Sequence, residues 1–227
     1  MIASSAGFFD GFLASTDVFV RSIGQTLFIV LLSMIASGIV GLGLGVILYA
    51  TRPGNLYANR WVFSVVGVVV NTVRPIPFVI FLAAIGPLQR VVIGSTIGTN
   101  AVTFAIALAA GFAVARIVEQ SLVAVDPGVV EAARSVGASR LSILFGVVVA
   151  EGLGPLILGY TFIFVGIVDM SAQAGLVGGG GLGDYAIQYG SQRYDWGVVY
   201  ASLAAIVAIV VAGQLVGNRL ARAVMRR

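Results

Sequence analysis

The stretch EAARSVGASR, residues 131–140, sits between long apolar runs and decides how the chain is organised. It brings Glu131, Arg134 and Arg140 into a chain that is otherwise poor in charge. Just ahead of it, Asp126-Pro127 has the form of a helix start. An aspartate at the N-cap accepts backbone N–H bonds, and proline suits the first helical position. Gly137 is placed to end the helix, since glycine takes the left-handed backbone of a C′ residue. The spacing therefore predicts a helix over about 127–138, roughly 15 Å long, too short and too charged to cross a bilayer. Val129, Ala132, Ala133 and Val136 form a small apolar stripe on it, flanked by Glu131, Arg134 and Ser135. Three readings stand: a helix lying on the membrane surface, a solvated loop helix, and a helix seated in another protein. A stripe of alanines buries little area in lipid, and membrane-lying helices favour large apolar residues with a basic polar face. A smooth, small stripe rimmed by charge suits a groove on a partner.

The rest of the composition sets the environment of that helix. Of 227 residues, 59% are hydrophobic and 10% charged, with mean hydropathy +1.06. Soluble domains carry roughly 25% charged residues, so this chain is expected to be an integral membrane protein. It has no cysteine and no histidine, which excludes disulfides, Cys/His zinc sites and a histidine-based triad. All 13 basic residues are arginine, so there is no P-loop lysine and ATP is not expected to bind this chain. The N-terminus has no basic residue before Arg21 and is read as retained rather than as a cleaved signal.

A membrane helix needs about 20 apolar residues to cross roughly 30 Å of hydrocarbon. Five segments meet this, at about 23–50, 61–85, 92–114, 153–168 and 198–216, within a single domain spanning 1–227. The glycines of GIVGLGLG (38–45) offer small faces for close helix packing. Arginine counts in the connections set the orientation. Arg52, Arg60, Arg116, Arg134, Arg140, Arg219, Arg222, Arg226 and Arg227 lie on one side, nine against three for Arg21, Arg90 and Arg193. That bias places the N-terminus outside, the C-terminus inside and the charged helix in the cytoplasm. It also accounts for the net charge of +4 by topology, with no nucleic-acid partner.

Arg74 falls inside the second segment. A buried arginine there costs several kcal/mol unless paired or wetted, about 3 on insertion scales. Pro75 and Pro77 follow it and must break the helix, and broken backbone at depth is tolerated only inside protein or along a water-filled cavity. Asn71 adds a polar group one turn earlier. Near the outer end of the fourth segment, Asp169 and Ser171 lie in VDMSAQAG. Arg74 either caps freed carbonyls or pairs with an acid to hold helices together, or it meets a substrate carboxylate. Asp169 either pairs with Arg74 or receives an ammonium group. The hypothesis carried forward is that Arg74 and Asp169 both line a translocation cavity, with Asn71, Pro75, Pro77 and Ser171 around them. Glu151, at the mouth of the fourth segment, is a weaker candidate. GLVGGGGLGD (175–184) has no preceding strand and no lysine, so its glycines serve turns and close approach rather than phosphate. DYAIQYGSQRYDW (184–196) has the aromatic character of a membrane interface and is also a candidate contact for an external binding protein.

Glu131-Ala132-Ala133 followed by Gly137 resembles the EAA loop of ABC-importer permeases. The likeness departs at Val149-Ala150, where that family usually has Leu-Pro. ILYATRPGNLYAN (47–59), NTVRPIPFVIFL (71–82), GGGGLGDYAIQYG (178–190) and RLARAVMRR (219–227) resemble, in order, segments of the methionine-type permeases. VDMSAQAG is more polar than that pattern. The resemblance implies an all-α, polytopic type I ABC-importer permease with five spans, in a bacterial plasma membrane. It implies a homodimer with two ABC ATPase subunits and one extracytoplasmic substrate-binding lipoprotein, importing methionine or a related amino acid. Asp126, Pro127, Glu131, Ala132, Ala133, Arg134 and Gly137 would form the helix that docks on the ATPase. ATP and magnesium would belong to that partner; no cofactor is expected on this chain, and it would perform no covalent chemistry. The alternatives are a structural membrane protein, which would leave the charged helix and the broken second segment unexplained, an importer for another small solute, such as a polar amino acid or organic anion, and a secondary transporter. The latter predicts internal repeats and acids at the midplane, against five spans that do not halve.

Overall fold

The computed structural model describes residues 10–225, with side chains from residue 11. The residues before Asp10, the first part of the N-terminal stretch read as retained, and Arg226 and Arg227 of the basic tail lie outside the described residues. The fold is all-helical, as expected. After a helical turn at Asp10–Ala14, α1 runs over Thr16–Thr51. Then come α2 (Arg60–Val73), α3 (Phe78–Ala84), α4 (Gly86–Val92), α5 (Thr99–Val123), the short α6 (Pro127–Ser135), α7 (Leu153–Ala174) and α8 (Trp196–Met225). Among the described residues four helices are long and apolar enough to cross a membrane, or five if the bent pair α2–α3 is one span.

Several boundaries differ from those read from sequence. The second segment is two helices bent by 110°. Pro75 and Pro77 supply no N–H to continue the ladder, and Pro77 stands at the N-cap of α3. The third segment, α5, starts at Thr99 rather than about 92, because Gly94 and Gly98 hold left-handed φ of 82° and 94°. It runs on to Val123 rather than stopping near 114, and so takes in Arg116, which the arginine count had assigned to a loop. The charge is tolerated within the helix because Glu119 lies one turn on and pairs with it. α7 reaches Ala174 and includes Asp169, whose carboxylate accepts a bond from Gln173 Nε2 at 2.8 Å. α1 and α8 extend a turn or more beyond the expected 23–50 and 198–216.

The chain forms two compact units whose boundaries fall inside the long helices rather than in loops. The first comprises the chain up to Met34 with Pro77–Ala107 and Val165–Ala212. Its glycine-rich segment is held by α1: Gly181 N–H donates to Gln25 Oε1 at 2.9 Å and Leu182 N–H to Thr26 Oγ1 at 2.8 Å. These bonds occupy backbone donors that a phosphate loop would need free. Gln89, buried, donates to the Ala101 carbonyl at 2.8 Å, and Ser33 donates to that of Thr103 at 3.1 Å. Tyr185 does not sit at an exposed interface. It is 2% exposed, shares a 2.7 Å hydrogen bond with Ser15 and stacks on Tyr189, over which lies Arg193. Tyr194 and Trp196 are exposed.

Thr26→Val, which keeps the side chain's shape, is expected to leave the buried Leu182 N–H without its acceptor. An unsatisfied buried donor costs about 1–3 kcal/mol. The purified protein should melt at a lower temperature, and an unchanged melting curve would show that this latch holds nothing.

The second unit comprises Ile35–Ile76, Leu108–Phe164 and Gly213–Arg227. Here the expected glycine face of α1 meets α5. A Cβ on Gly45 would lie 2.6 Å from the Ala115 carbonyl oxygen, and one on Gly41 2.7 Å from that of Gly111. Gly43, on another side of the helix, has nothing within 4 Å. The close approach buries a core of Leu48, Val70 and Ala115, packed by Leu44, Phe63, Val66 and Phe112. Tyr160 donates to the Gly38 carbonyl at 2.8 Å, tying α7 to the same stretch of α1.

Candidate functional site

The charged helix forms as its sequence dictates and is capped at both ends. The Asp126 carboxylate accepts from Gly128 N–H at 2.8 Å, and Pro127 takes the first turn. At the other end Gly137 has φ +79°. Its N–H donates to the Arg134 carbonyl at 3.0 Å, and Ala138 N–H reaches back to that of Ala133 at 3.1 Å. This pair of bonds is the Schellman arrangement, and it ends the helix at Ser135 rather than 138. None of the nine residues of α6 is buried. Glu131, Ala132 and Arg134 are exposed, Ala133 is half-buried, and Val136 is 83% exposed just beyond the C-terminus.

The chain after α6 stays helical where the resemblance would place a proline. Arg140–Ser142 is followed by a π-helical stretch, Ile143–Val148, then Val149–Glu151. Ala150 keeps its N–H, so nothing interrupts the ladder before Gly152. π-helical turns are rare, and frequent at functional sites. This one packs against α6 on one side and Val149–Glu151 on the other. A continuous path therefore runs from α6 to the start of α7 at Leu153. Glu151 is exposed and lines a recess of about 200 Å³ with Ser121, Asp126 and Val129.

Arg74 stands at the C-cap of α2, where its N–H still bonds to the Val70 carbonyl at 3.2 Å. Asn71, Arg74, Pro75 and Pro77 are all exposed in this chain. Arg74 lines a cavity of about 330 Å³ with Ala113, Arg116, Gln120, Ser121 and Phe162. Arg116 Nη1 contacts Glu119 Oε2 at 2.5 Å, and Glu119 is buried. The sequence reading did not single out this pair. Its signal was present in the R-x-x-E spacing, which places the two side chains on one helix face.

Asn71, Arg74 and Pro75 belong to the second unit, Pro77, Asp169 and Ser171 to the first. Asp169 is exposed and takes its hydrogen bond from Gln173 on its own helix. Ser171 is 1% exposed, so its side chain is not open to a cavity within this chain.

Residues 41–227 match the family described as binding-protein-dependent transport system inner membrane component. The chain is 37% identical over 216 residues to the probable D-methionine transport system permease protein MetI of Vibrio cholerae, covering 95% of this chain and 96% of that one. It is 34% identical to the methionine import system permease protein MetP of Bacillus subtilis, over 80% of this chain and 82% of the relative. Among solved structures, an inward-facing conformation of the MetNI methionine ABC transporter superposes with TM-score 0.90 at 36% identity, covering 93% of this chain and 98% of that one. An amino acid ABC transporter solved with histidines shares the fold, with TM-score 0.79 at 20% identity over 94% of this chain and 97% of that one. The helical architecture and the likeness along nearly the whole chain agree, and the chain belongs to the family of binding-protein-dependent transport system inner membrane components, as a multi-pass permease of the bacterial inner membrane.

Proposed function

We propose that this chain is the translocating subunit of an ATP-driven importer for methionine, working as a homodimer on two separate ATPase subunits and fed by a substrate-binding lipoprotein. The observation that carries the coupling is α6, fixed at both ends by hydrogen bonds and with no residue buried in its own chain. A rigid helix whose small stripe is uncovered is made to fit a groove. The names and structure of the methionine-transporting relatives supply the substrate class, and the arginine bias supports a cytoplasmic α6 with the N-terminus outside.

In this reading Asp126, Pro127, Glu131, Ala132, Ala133, Arg134 and Gly137 form the docking helix. ATP and magnesium are held by the partner ATPase. Closure of the ATPases on ATP moves α6, and the π-helical stretch Ile143–Val148 passes that motion to α7. Hydrolysis returns the cavity to the inward-facing state. ATP must bind one conformation better than the other for this cycle to advance. Arg74 faces the substrate path with Asn71, Pro75 and Pro77 around its bend; on α7 Asp169 offers an exposed carboxylate, while buried Ser171 serves packing rather than the path.

The test is reconstitution with the neighbouring ATPase and the binding protein in proteoliposomes. Methionine is expected to stimulate both ATP hydrolysis and its own uptake. Stimulation by a polar amino acid alone would give the system another substrate, as the carboxylate and amide of Asp169 and Gln173 would suit. Uptake driven by an ion gradient without ATP would replace the importer with a secondary transporter.

A further inference from the structure

The cavity of about 330 Å³ in the second unit is lined by two arginines whose charges are not equivalent. Arg116 is matched by Glu119, whose side chain is 5% exposed and which is not itself a lining residue. The Arg74 guanidinium has no hydrogen bond or ion pair among the described residues. The cavity thus presents one uncompensated positive charge. An arginine inside a membrane span is costly without a partner or water, and no described residue of its unit forms an ion pair with it. The volume lies at the lower end of small-molecule pockets, roughly 300–1,000 Å³. Ile117, Ile163 and Phe162 supply apolar wall, and Gln120 and Ser121 supply neutral polar groups.

We propose that Arg74 receives the carboxylate of the substrate in transit, and that the Arg116–Glu119 pair holds the charge of the site at one. The site then takes a small monocarboxylate with an apolar side chain. It turns away the corresponding amide, which lacks the anion, and a dicarboxylate, whose second anion finds Arg116 already occupied. This assignment rests on the importer reading above and adds to it the groups that read the substrate's charge.

The chain has no cysteine, so a single thiol placed in the cavity reports on its occupancy. The experiment uses Ala113→Cys in the permease–ATPase complex, in phosphatidylcholine vesicles, labelled by a small cationic methanethiosulfonate. Methionine at about ten times its Kd is expected to slow labelling by about tenfold, since only the unoccupied fraction reacts, and methionine amide at the same concentration to leave it unchanged. Arg74→Gln should remove the protection without preventing labelling. Glu119→Gln should free Arg116 and let aspartate protect as well. If that variant does not assemble, the double variant Arg116→Gln/Glu119→Gln still carries one charge, and methionine should still protect it. Equal protection by methionine and its amide would overturn carboxylate recognition. Protection that needs no amino acid and follows added phosphatidylglycerol would assign Arg74 to a lipid headgroup instead. Unchanged labelling in a complex that imports methionine would overturn this site and leave the importer reading intact. Absent uptake by the unmodified complex reports on the importer reading separately.

Discussion

Ala132→Arg is expected to lower methionine uptake by more than about tenfold, as a charged side chain forced into the middle of a packed interface does. The reason lies in where Ala132 sits. It is exposed on α6, between Glu131 and Ala133, in a helix with no buried residue. A substitution there removes no contact within the chain, and surface changes of this kind stay within about 0.5 kcal/mol. Arginine is also a good helix former. The caps at Asp126 and Gly137 are untouched, so the helix itself should persist. Any loss must therefore come from what the helix touches outside its own chain. Two measurements separate the outcomes: uptake by the reconstituted complex, and recovery of the ATPase with the purified permease. Normal uptake by Ala132→Arg would remove α6 from the coupling path.

The second large effect concerns the fold. Gly45→Leu is expected to prevent recovery of folded permease, with Gly43→Leu, two residues away, tolerated as the control. At Gly45 a Cβ would approach the Ala115 carbonyl oxygen to 2.6 Å and the Val118 Cβ to 2.5 Å. The obstacle is backbone of α5, which cannot swing aside as a flexible side chain does. α1 and α5 must separate, and the Leu48–Val70–Ala115 core opens with them. Overpacking alone costs about 1–3 kcal/mol. Here the loss of close helix contact adds to it, because dispersion and backbone proximity hold membrane helices together where lipid is as apolar as the side chains. At Gly43 no atom lies within 4 Å, so the same side chain meets open space in this chain. The yield of monodisperse protein in detergent reads both variants. Equal yields would mean that the glycine face of α1 is not what brings α5 close.

Much of the architecture is legible in residues close together in sequence. Apolar runs of sufficient length produce α1, α5, α7 and α8. Pro75 and Pro77 break the second segment where two successive gaps in the N–H ladder require it. Asp126, Pro127 and Gly137 cap α6 with bonds spanning no more than five residues. Each depends on backbone rules that act within a turn or two, so the local sequence suffices.

What sequence alone left undecided are the meetings of distant residues and the ends of charged helices. Only the tertiary structure seats the glycine-rich segment on Gln25 and Thr26, more than 150 positions earlier. It buries Tyr185 behind Ser15 where composition put an interfacial aromatic, and it leaves Asp169 to Gln173 while Arg74 shares a cavity with Arg116. It also carries α5 past Arg116, since a charge ends a span in a hydropathy count but not in a helix that supplies its own counter-ion. The physical difference is range: hydrogen-bond ladders and caps are local, whereas burial and charge pairing depend on which surfaces the packed helices bring together.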